Sequence, residues 1–497
     1  MNSPTRTERL TVPAPARQFA EDLASFITAS PSPYHAVAEA QNRVEAAGFI
    51  ALDESAAWDI VPGQRYFIKR DGAFIAVAIP GDATPGTPVM IVGTHTDSPG
   101  LMLKPHSTTG SLGYLQAGVE IYGGPLLNSL LDRELEFAGK LVLRDGTQTL
   151  VRTGPFARIP QLAVHLDRSV NEQLHLDKQR HLQPVWGLGT QQDEDLLEEL
   201  GARAEAGPVS AQDIAGYTIY GMCAQAPVQF GRERELLAAP GLDNLLGTHA
   251  ALETLIRGSA GSVWSGSRSV GAPLDANSPN ATSSDDTASG NAASGRPISI
   301  VAAFDHEEIG SGTRSGADGP FLEDVLHRIT EKLGYSSEDR RRAFAQSLCF
   351  SCDVGHGVHP NYPEKHDPVV RPVLGKGPIL KVNANQRYAT DSVGASQWRI
   401  ACESAGVPSQ AFVSNNDVPC GSTIGPKTAT RLGIRTVDMG VPILSMHSAR
   451  ALAAVVDPWY LHRALTVALG FDPVTVDPGE LDTPELDSVK HDSDKEV

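Results

Sequence analysis

The sequence predicts an α/β protein whose main domain, built on a mixed or mostly parallel sheet, is split in the chain by a smaller β-rich domain. Three observations lead there. Short apolar runs such as PVMIVGTH, PISIVAAF, SLCFSC and RTVDMGVP alternate with helical patterns, as expected of strands buried on both faces between helices. From about 101 to 238 the texture changes to short strand-like runs, LQAGVEIYG, FAGKLVLRD and GTQTLVRT, broken by turn residues. The first texture resumes at LLAAPGLDNLLGTHAALETLIRG.

In chain order, residues 1–16 are rich in Pro and Thr and are expected to form a loose tail. AEDLASFITAS has helical spacing, and SPSPYHAVAEAQNRVEAAGF continues as a second amphipathic helix after a Pro-marked start. RYFIKRDGAFIAVAIP reads as a hairpin with Asp71-Gly72 at its turn. The expected organisation is a first part of the main domain at 17–100, the β-rich domain at 101–238 and a second part at 239–475. Residues 258–296 are rich in Ser, Gly, Ala and Asn and nearly free of large apolar side chains. Such a stretch cannot repay its ordering entropy and is expected to be a disordered insertion. The acidic tail at 476–497 is expected to be flexible too.

The chain has 497 residues, enough for an ample core without disulfides. Its 41 basic against 59 acidic residues give a net charge of −18, which repels phosphate backbones and excludes a general nucleic-acid binder. No apolar run approaches the ~20 residues of a membrane span. The N-terminus lacks a secretory pattern. The five cysteines are odd in number and scattered, which points to the reducing cytoplasm. Cys349 and Cys352 form a CxxC, but a zinc knuckle needs a second pair, so buried strand cysteines are the simpler reading.

The residues suited to chemistry sit where the apolar strands end, the usual place for a site in an open α/β sheet. In GTHTDSPG, His95 and Asp97 are two apart on an extended segment and can point the same way, so Asp97 can orient a metal-bound His95. In GLDNLLG, Asp243 reads either as a helix cap or as a carboxylate bridging two metals. In FDHEEIGSGTRSGA, the adjacent Glu307 and Glu308 repel one another in a dry site, so a cation is expected nearby. SCDVGHGVHPNYPEKHDP gathers Asp353, His356, His359 and His366, and VPILSMHSARA places His447 before a helix-like run. Together these supply two histidines and three carboxylates for coordination, plus one free Glu. That set suits zinc, with manganese or cobalt also accommodated. A metal pair can activate one water for attack on a carbonyl, with the free Glu as general base. No HExxH helix, GxSxG elbow or GxxxxGKS loop is present.

These segments, with HPNYPEKHDP, GPILKVNANQRYATD and PCGSTIGP…MGVPILSMHSAR, resemble in order and register the aspartyl aminopeptidase family of dinuclear zinc metallo-aminopeptidases, over about residues 17 to 475. The resemblance implies a zinc-exopeptidase-like α/β catalytic domain interrupted by a β-rich dimerisation and assembly domain. It implies one metal on His95, Asp243 and Asp353, a second on Asp243, Glu308 and His447, Glu307 as catalytic base and Asp97 as the residue orienting His95. Lys381, Tyr388 and His359 fall in motifs that the family places at the substrate pocket. A Lys there could pair with an acidic side chain. His165 in RIPQLAVHLDR matches a family His that reaches a neighbouring subunit's active site. The implied assembly is a homododecamer built from dimers. The implied substrates are short peptides with a free acidic N-terminus, Asp or Glu. Two departures stand out: the insertion at 258–296, and Gly241 before Asp243. Three alternatives remain: an aminopeptidase preferring neutral residues, another dinuclear hydrolase such as a deacylase, and a non-catalytic self-assembling shell. The intact Glu307 and ligand set argue against the last.

Overall fold

The computed structural model describes residues 11–260 and 295–472. Helices α1 (Ala14–Ala29) and α2 (Pro33–Ala46) open the chain. The first begins within the stretch expected to be loose, because Val12 and Ala16 turn into the core beside Phe19 and Ala20. Ser32 accepts the His35 N–H and starts the second helix, with Pro33 in its first turn. Strands β1 (Ile50–Ala51), β2 (Arg65–Arg70), β3 (Ala73–Ala78) and β4 (Val89–His95) follow. The second and third form the hairpin around Asp71-Gly72.

The next strands are β5 (Gly100–Ser111), β6 (Tyr114–Tyr122), β7 (Glu134–Leu143), β8 (Gln148–Arg152), β9 (Ala157–Arg158), β10 (Val185–Leu188) and β11 (Ile214–Cys223), with helix α3 (Leu196–Gly201) before the last. They form a seven-stranded sheet with a core of its own around Leu101, Phe137, Leu141 and Ile219. Strands β12 (Val228–Phe230) and β13 (Leu236–Ala239) do not join it. They pair with each other, and β13 also pairs with a late strand of the main domain, so the second sheet ends at Cys223, short of residue 238.

Helix α4 (Leu242–Gly258) is followed by β14 (Ile298–Phe304). The expected insertion at 258–296 lies between them, almost wholly outside the described residues, as does the expected tail at 476–497. Then come α5 (Phe321–Lys332), α6 (Ser337–Ala345), β15 (Leu348–Cys352), β16 (Gly355–His356), β17 (Ile379–Lys381), α7 (Ser392–Ser404), β18 (Gln410–Phe412), α8 (Ile424–Leu432), β19 (Arg435–Gly440), β20 (Pro442–Ile443), β21 (Ala451–Ala454) and α9 (Asp457–Ala468). The run after His447, expected to be helical, is the strand β21; it pairs antiparallel with β13.

The main sheet has nine strands in the order β1-β2-β3-β14-β4-β15-β19-β17-β18. Its centre, β14-β4-β15-β19, is parallel, and β2-β3-β14 is antiparallel. Alternate residues face opposite layers. Val92, Val301, Phe350 and Val437 pack under α1, α4, α7 and α9. Ile91, Ile300 and Phe304 pack with Phe321 and Leu326 of α5 on the other side. Cys349 and Cys352 are free, buried and divided between these two layers, so they are no redox pair. Among the described residues no helix is long and apolar enough to cross a membrane.

Candidate metal centre

Three neighbouring parallel strands aim their carboxyl ends at one place. His95 is the last residue of β4 and pairs in register with Phe304, the last of β14. Glu307 and Glu308 lie in the 3-10 turn that follows β14. Asp353 directly follows β15.

Asp243 enters from the first turn of α4. It does not cap the helix: the cap position is Gly241, whose left-handed φ of 60° suits glycine, and a Cβ there would sit 3.1 Å from Leu245 Cδ1. Asp243 and Asn244 leave the helical backbone. They are held by the Ser98 hydroxyl, which donates to the Asp243 carbonyl at 2.7 Å, and by the Asn244 amide, which donates to the Cys352 carbonyl at 2.7 Å. His447 arrives from the turn before β21 with φ 62°.

His95 Nε2 lies 3.2 Å from Asp243 Oδ1 and 3.5 Å from Asp353 Oδ1. His447 Nε2 lies 3.5 Å from Asp243 Oδ2 and 3.3 Å from Glu308 Oε2. Ligand atoms of His95, Asp243 and Asp353 fall within 4.8 Å of one another, and so do those of Asp243, Glu308 and His447, and those of His95, Glu307 and Glu308. Asp243 belongs to two of these groups.

Each imidazole is anchored through its other nitrogen. His95 Nδ1 is 3.0 Å from the Asp97 carbonyl and 3.4 Å from Asp97 Oδ1; His447 Nδ1 is 3.0 Å from the Gly124 carbonyl. With Nδ1–H donating, both Nε2 lone pairs face carboxylate oxygens, an arrangement that needs a proton or a metal between them. Among the described residues, the buried Glu308 Oε1 has no hydrogen-bond partner, and Asp243 Oδ1 has none beyond the His95 contact.

Electrostatics say the same. Burial pushes the Glu307 carboxyl up; His95 opposes this, but Asp353 and Asp243 reinforce it, and the result is about 7. Burial and the Asp243 charge push Glu308 well above its ordinary value. Burial alone would lower His95, yet Asp243, Asp353 and Asp97 hold it well above its ordinary value. Crowded, dry carboxylates that hold on to protons are what a divalent cation would relieve. The residues therefore fit zinc, and their oxygen-rich mixture with imidazole also fits manganese or cobalt.

Asp97 is fully buried. Its Oδ1 accepts the Glu307 N–H at 3.0 Å and its Oδ2 the Glu308 N–H at 3.1 Å. Lys381 is also buried: Nζ donates to Asp353 Oδ2 at 3.2 Å and to the Val354 carbonyl at 2.7 Å, so it is no solvated charge. Its Nζ lies 5.4 Å from the ring centroid of the buried Tyr388. The His359 N–H donates to His366 Nε2 at 3.0 Å, and its ring lies against Tyr362. His165 is exposed between β9 and β10 and is not among the gathered side chains. Tyr122, whose hydroxyl donates to Asp97 Oδ2 at 2.9 Å, has no counterpart in the sequence reading. The Gly123-Gly124 pair that follows it is a turn signal in the sequence, but where that turn docks is set only by tertiary contacts. In a further His–carboxylate group, Asp22, His249 and Glu253, both carboxylates already pair with the Arg43 guanidinium and Asp22 also meets His249.

The family model described as aminopeptidase I zinc metalloprotease (M18) matches residues 26–270 and 281–466. The chain is 51% identical over 456 residues to a Streptomyces avermitilis protein named Probable M18 family aminopeptidase 2, covering 91% of this chain and 98% of that one. Among solved structures it is similar to that of the Ape4 and Nbr1 complex, with TM-score 0.81 and 35% identity, covering 93% of this chain and 86% of the other. It is also similar to the S. cerevisiae mApe1 dodecamer, with TM-score 0.74 and 26% identity, covering 94% and 99% of the two chains.

Proposed function

The chain belongs to the aminopeptidase I zinc metalloprotease (M18) family and is a metal-dependent aminopeptidase; from that premise we propose that it removes unblocked Asp or Glu from the N-termini of short peptides, using two divalent ions per subunit. The observation that carries this reading is the convergence of His95, Asp243, Glu308, Asp353 and His447, from five separate segments, into overlapping ligand groups sharing Asp243, with Glu307 alongside. His95, Asp243 and Asp353 would hold one ion; Asp243, Glu308 and His447 would hold the other.

Zinc held by these residues would supply Lewis-acid polarisation of a carbonyl and a lowered pKa for water. Glu307 takes the proton of the attacking water and passes it to the leaving amine. Burial raises its proton affinity in the metal-free site, the direction a general base working near neutral pH requires. Asp97 fixes the backbone of both glutamates and the ring of His95. For substrate, Lys381 has two of its three N–H groups committed to Asp353 and Val354. The third would meet an acidic side chain, with Tyr388 beside it and His359 proposed as a further substrate contact. By analogy with the mApe1 dodecamer, the chain forms a homododecamer in which exposed His165 completes a neighbour's site and the β-rich unit mediates assembly. The five free cysteines suit a reducing cytoplasm.

One observation favours a second reading, preference for neutral N-terminal residues: Lys381 already pairs with Asp353. Aspartyl-, leucyl- and N-acetyl-aspartyl substrates, assayed side by side before and after chelation and zinc return, decide between them. Zinc-restored hydrolysis of the aspartyl substrate above the other two is expected. Leucyl preference would establish the second reading, and turnover of the blocked substrate would overturn both.

A further inference from the structure

The seven-stranded sheet reaches the candidate site through one short turn. Tyr122 ends β6, and its buried hydroxyl donates to Asp97 Oδ2 at 2.9 Å. The ring is fixed by its own sheet: Tyr220 of β11 meets it edge-on, centroids 5.0 Å apart and planes at 87°. Gly123 follows with φ 67°, and a Cβ there would come within 3.1 Å of Glu308 Cβ. The Gly124 carbonyl accepts from His447 Nδ1 at 3.0 Å, and the Leu126 N–H donates to the His447 carbonyl at 2.8 Å. One five-residue turn thus touches Asp97, Glu308 and His447.

Asp97 is the junction between this turn and the chemistry. Its carboxylate accepts both glutamate N–H groups and the Tyr122 hydroxyl, and lies beside His95 Nδ1. A carboxylate with this many donors has one orientation, and the hydroxyl is the only side-chain donor the β-rich sheet gives it among the described residues. Burial and the Asp97 charge raise the Tyr122 phenol far above its ordinary value, so it remains a donor across the whole working pH range.

We propose that the turn 122–126 is a scaffold of the reaction centre, with Tyr122 a positioning residue that fixes Asp97, and through it the Glu307–Glu308 pair and His95, while Gly124 sets the tautomer and aim of His447. The β-rich sheet is then part of the reaction centre as well as a platform for assembly. Outer groups of this kind typically change metal affinity or activity by about 10–100-fold when removed. The inference rests on the metal and base assignments above.

The test is Tyr122→Phe in the full-length assembled protein, with Tyr217→Phe as comparison. Tyr217 belongs to the same sheet, but its hydroxyl donates to the Lys104 and Pro105 carbonyls. For Tyr122→Phe we expect kcat to fall about 10–100-fold with KM within about threefold. Thermal midpoint and oligomer size should match wild type, and the visible absorption of the cobalt(II)-loaded protein should shift. Tyr217→Phe should leave kcat and the cobalt spectrum unchanged. A Tyr122→Phe enzyme with kcat within twofold of wild type and an unshifted cobalt spectrum would overturn the proposal. So would a fall in kcat matched by Tyr217→Phe. If wild type itself hydrolyses no aminoacyl substrate, the functional reading fails, and the cobalt spectra of the two proteins still decide whether Tyr122 positions the ligands.

Discussion

Lys381 Nζ lies 3.2 Å from Asp353 Oδ2, inside the site and almost wholly out of water. The ammonium therefore clamps a candidate metal ligand and, on the proposed reading, would also meet an acidic side chain of the substrate. These two roles separate by experiment. Lys381→Met keeps the apolar stem and removes the charge. It is predicted to weaken zinc affinity about tenfold, through the freed Asp353. Hydrolysis of aspartyl substrates should fall by about a further tenfold relative to leucyl substrates. Chelator competition and a two-substrate panel read these out. Equal losses on both substrates would remove Lys381 from specificity.

Metal binding is predicted to release protons. Without metal, Glu308 sits well above its ordinary value through burial and the Asp243 charge, and His95 sits well above its own through its carboxylate neighbours. Both must lose a proton to become ligands, so affinity rises with pH through neutrality and falls on acidification. Calorimetric zinc titrations between pH 6 and 8, in buffers of different ionisation enthalpy, give the proton count. An affinity flat across that range would contradict the prediction.

The helical layer behind the sheet depends on Arg43. Its guanidinium lies 2.8 Å from Asp22, 2.8 Å from Glu39 and 3.0 Å from Glu253, joining α1, α2 and α4. These carboxylates hold Arg43 well above its ordinary value against burial, and His249 and Arg43 hold Asp22 below its own. Arg43→Met leaves three carboxylates facing one another and is predicted to lower the thermal midpoint by about 5 °C. Because the folded Asp22 pKa is depressed, its stabilisation is present above the ordinary carboxylate range and disappears as pH falls through the folded value. The difference between variant and wild type should therefore shrink in acid. A midpoint within 1 °C of wild type at neutral pH would contradict this.

Much of the site was legible because its residues follow buried strands. Val89–His95, Ile298–Phe304 and Leu348–Cys352 are apolar on both faces, so His95, the Glu307–Glu308 pair and Asp353 stand out as polar residues where such runs end. Asp243 was ambiguous because an acid at a helix start ordinarily caps it; only the left-handed Gly241 shows that here it does not. His447 was misplaced before a helix because ALAA has no strand signature of its own and becomes a strand by pairing with Leu236–Ala239. Lys381 read only as a cation for the substrate pocket, because its pairing with Asp353 depends on a tertiary contact between separate segments. Tyr122 was invisible for the same reason: its role depends on how two sheets dock.

On the proposed reading, Glu307 carries the proton of a metal-dependent hydrolysis. Glu307→Gln keeps the size and the backbone N–H held by Asp97. The most direct measurement is the zinc content and kcat of that variant in the same preparation. Zinc bound as in wild type with kcat lowered about 10³-fold or more is the predicted result. Full zinc with kcat within tenfold of wild type would contradict that role for Glu307.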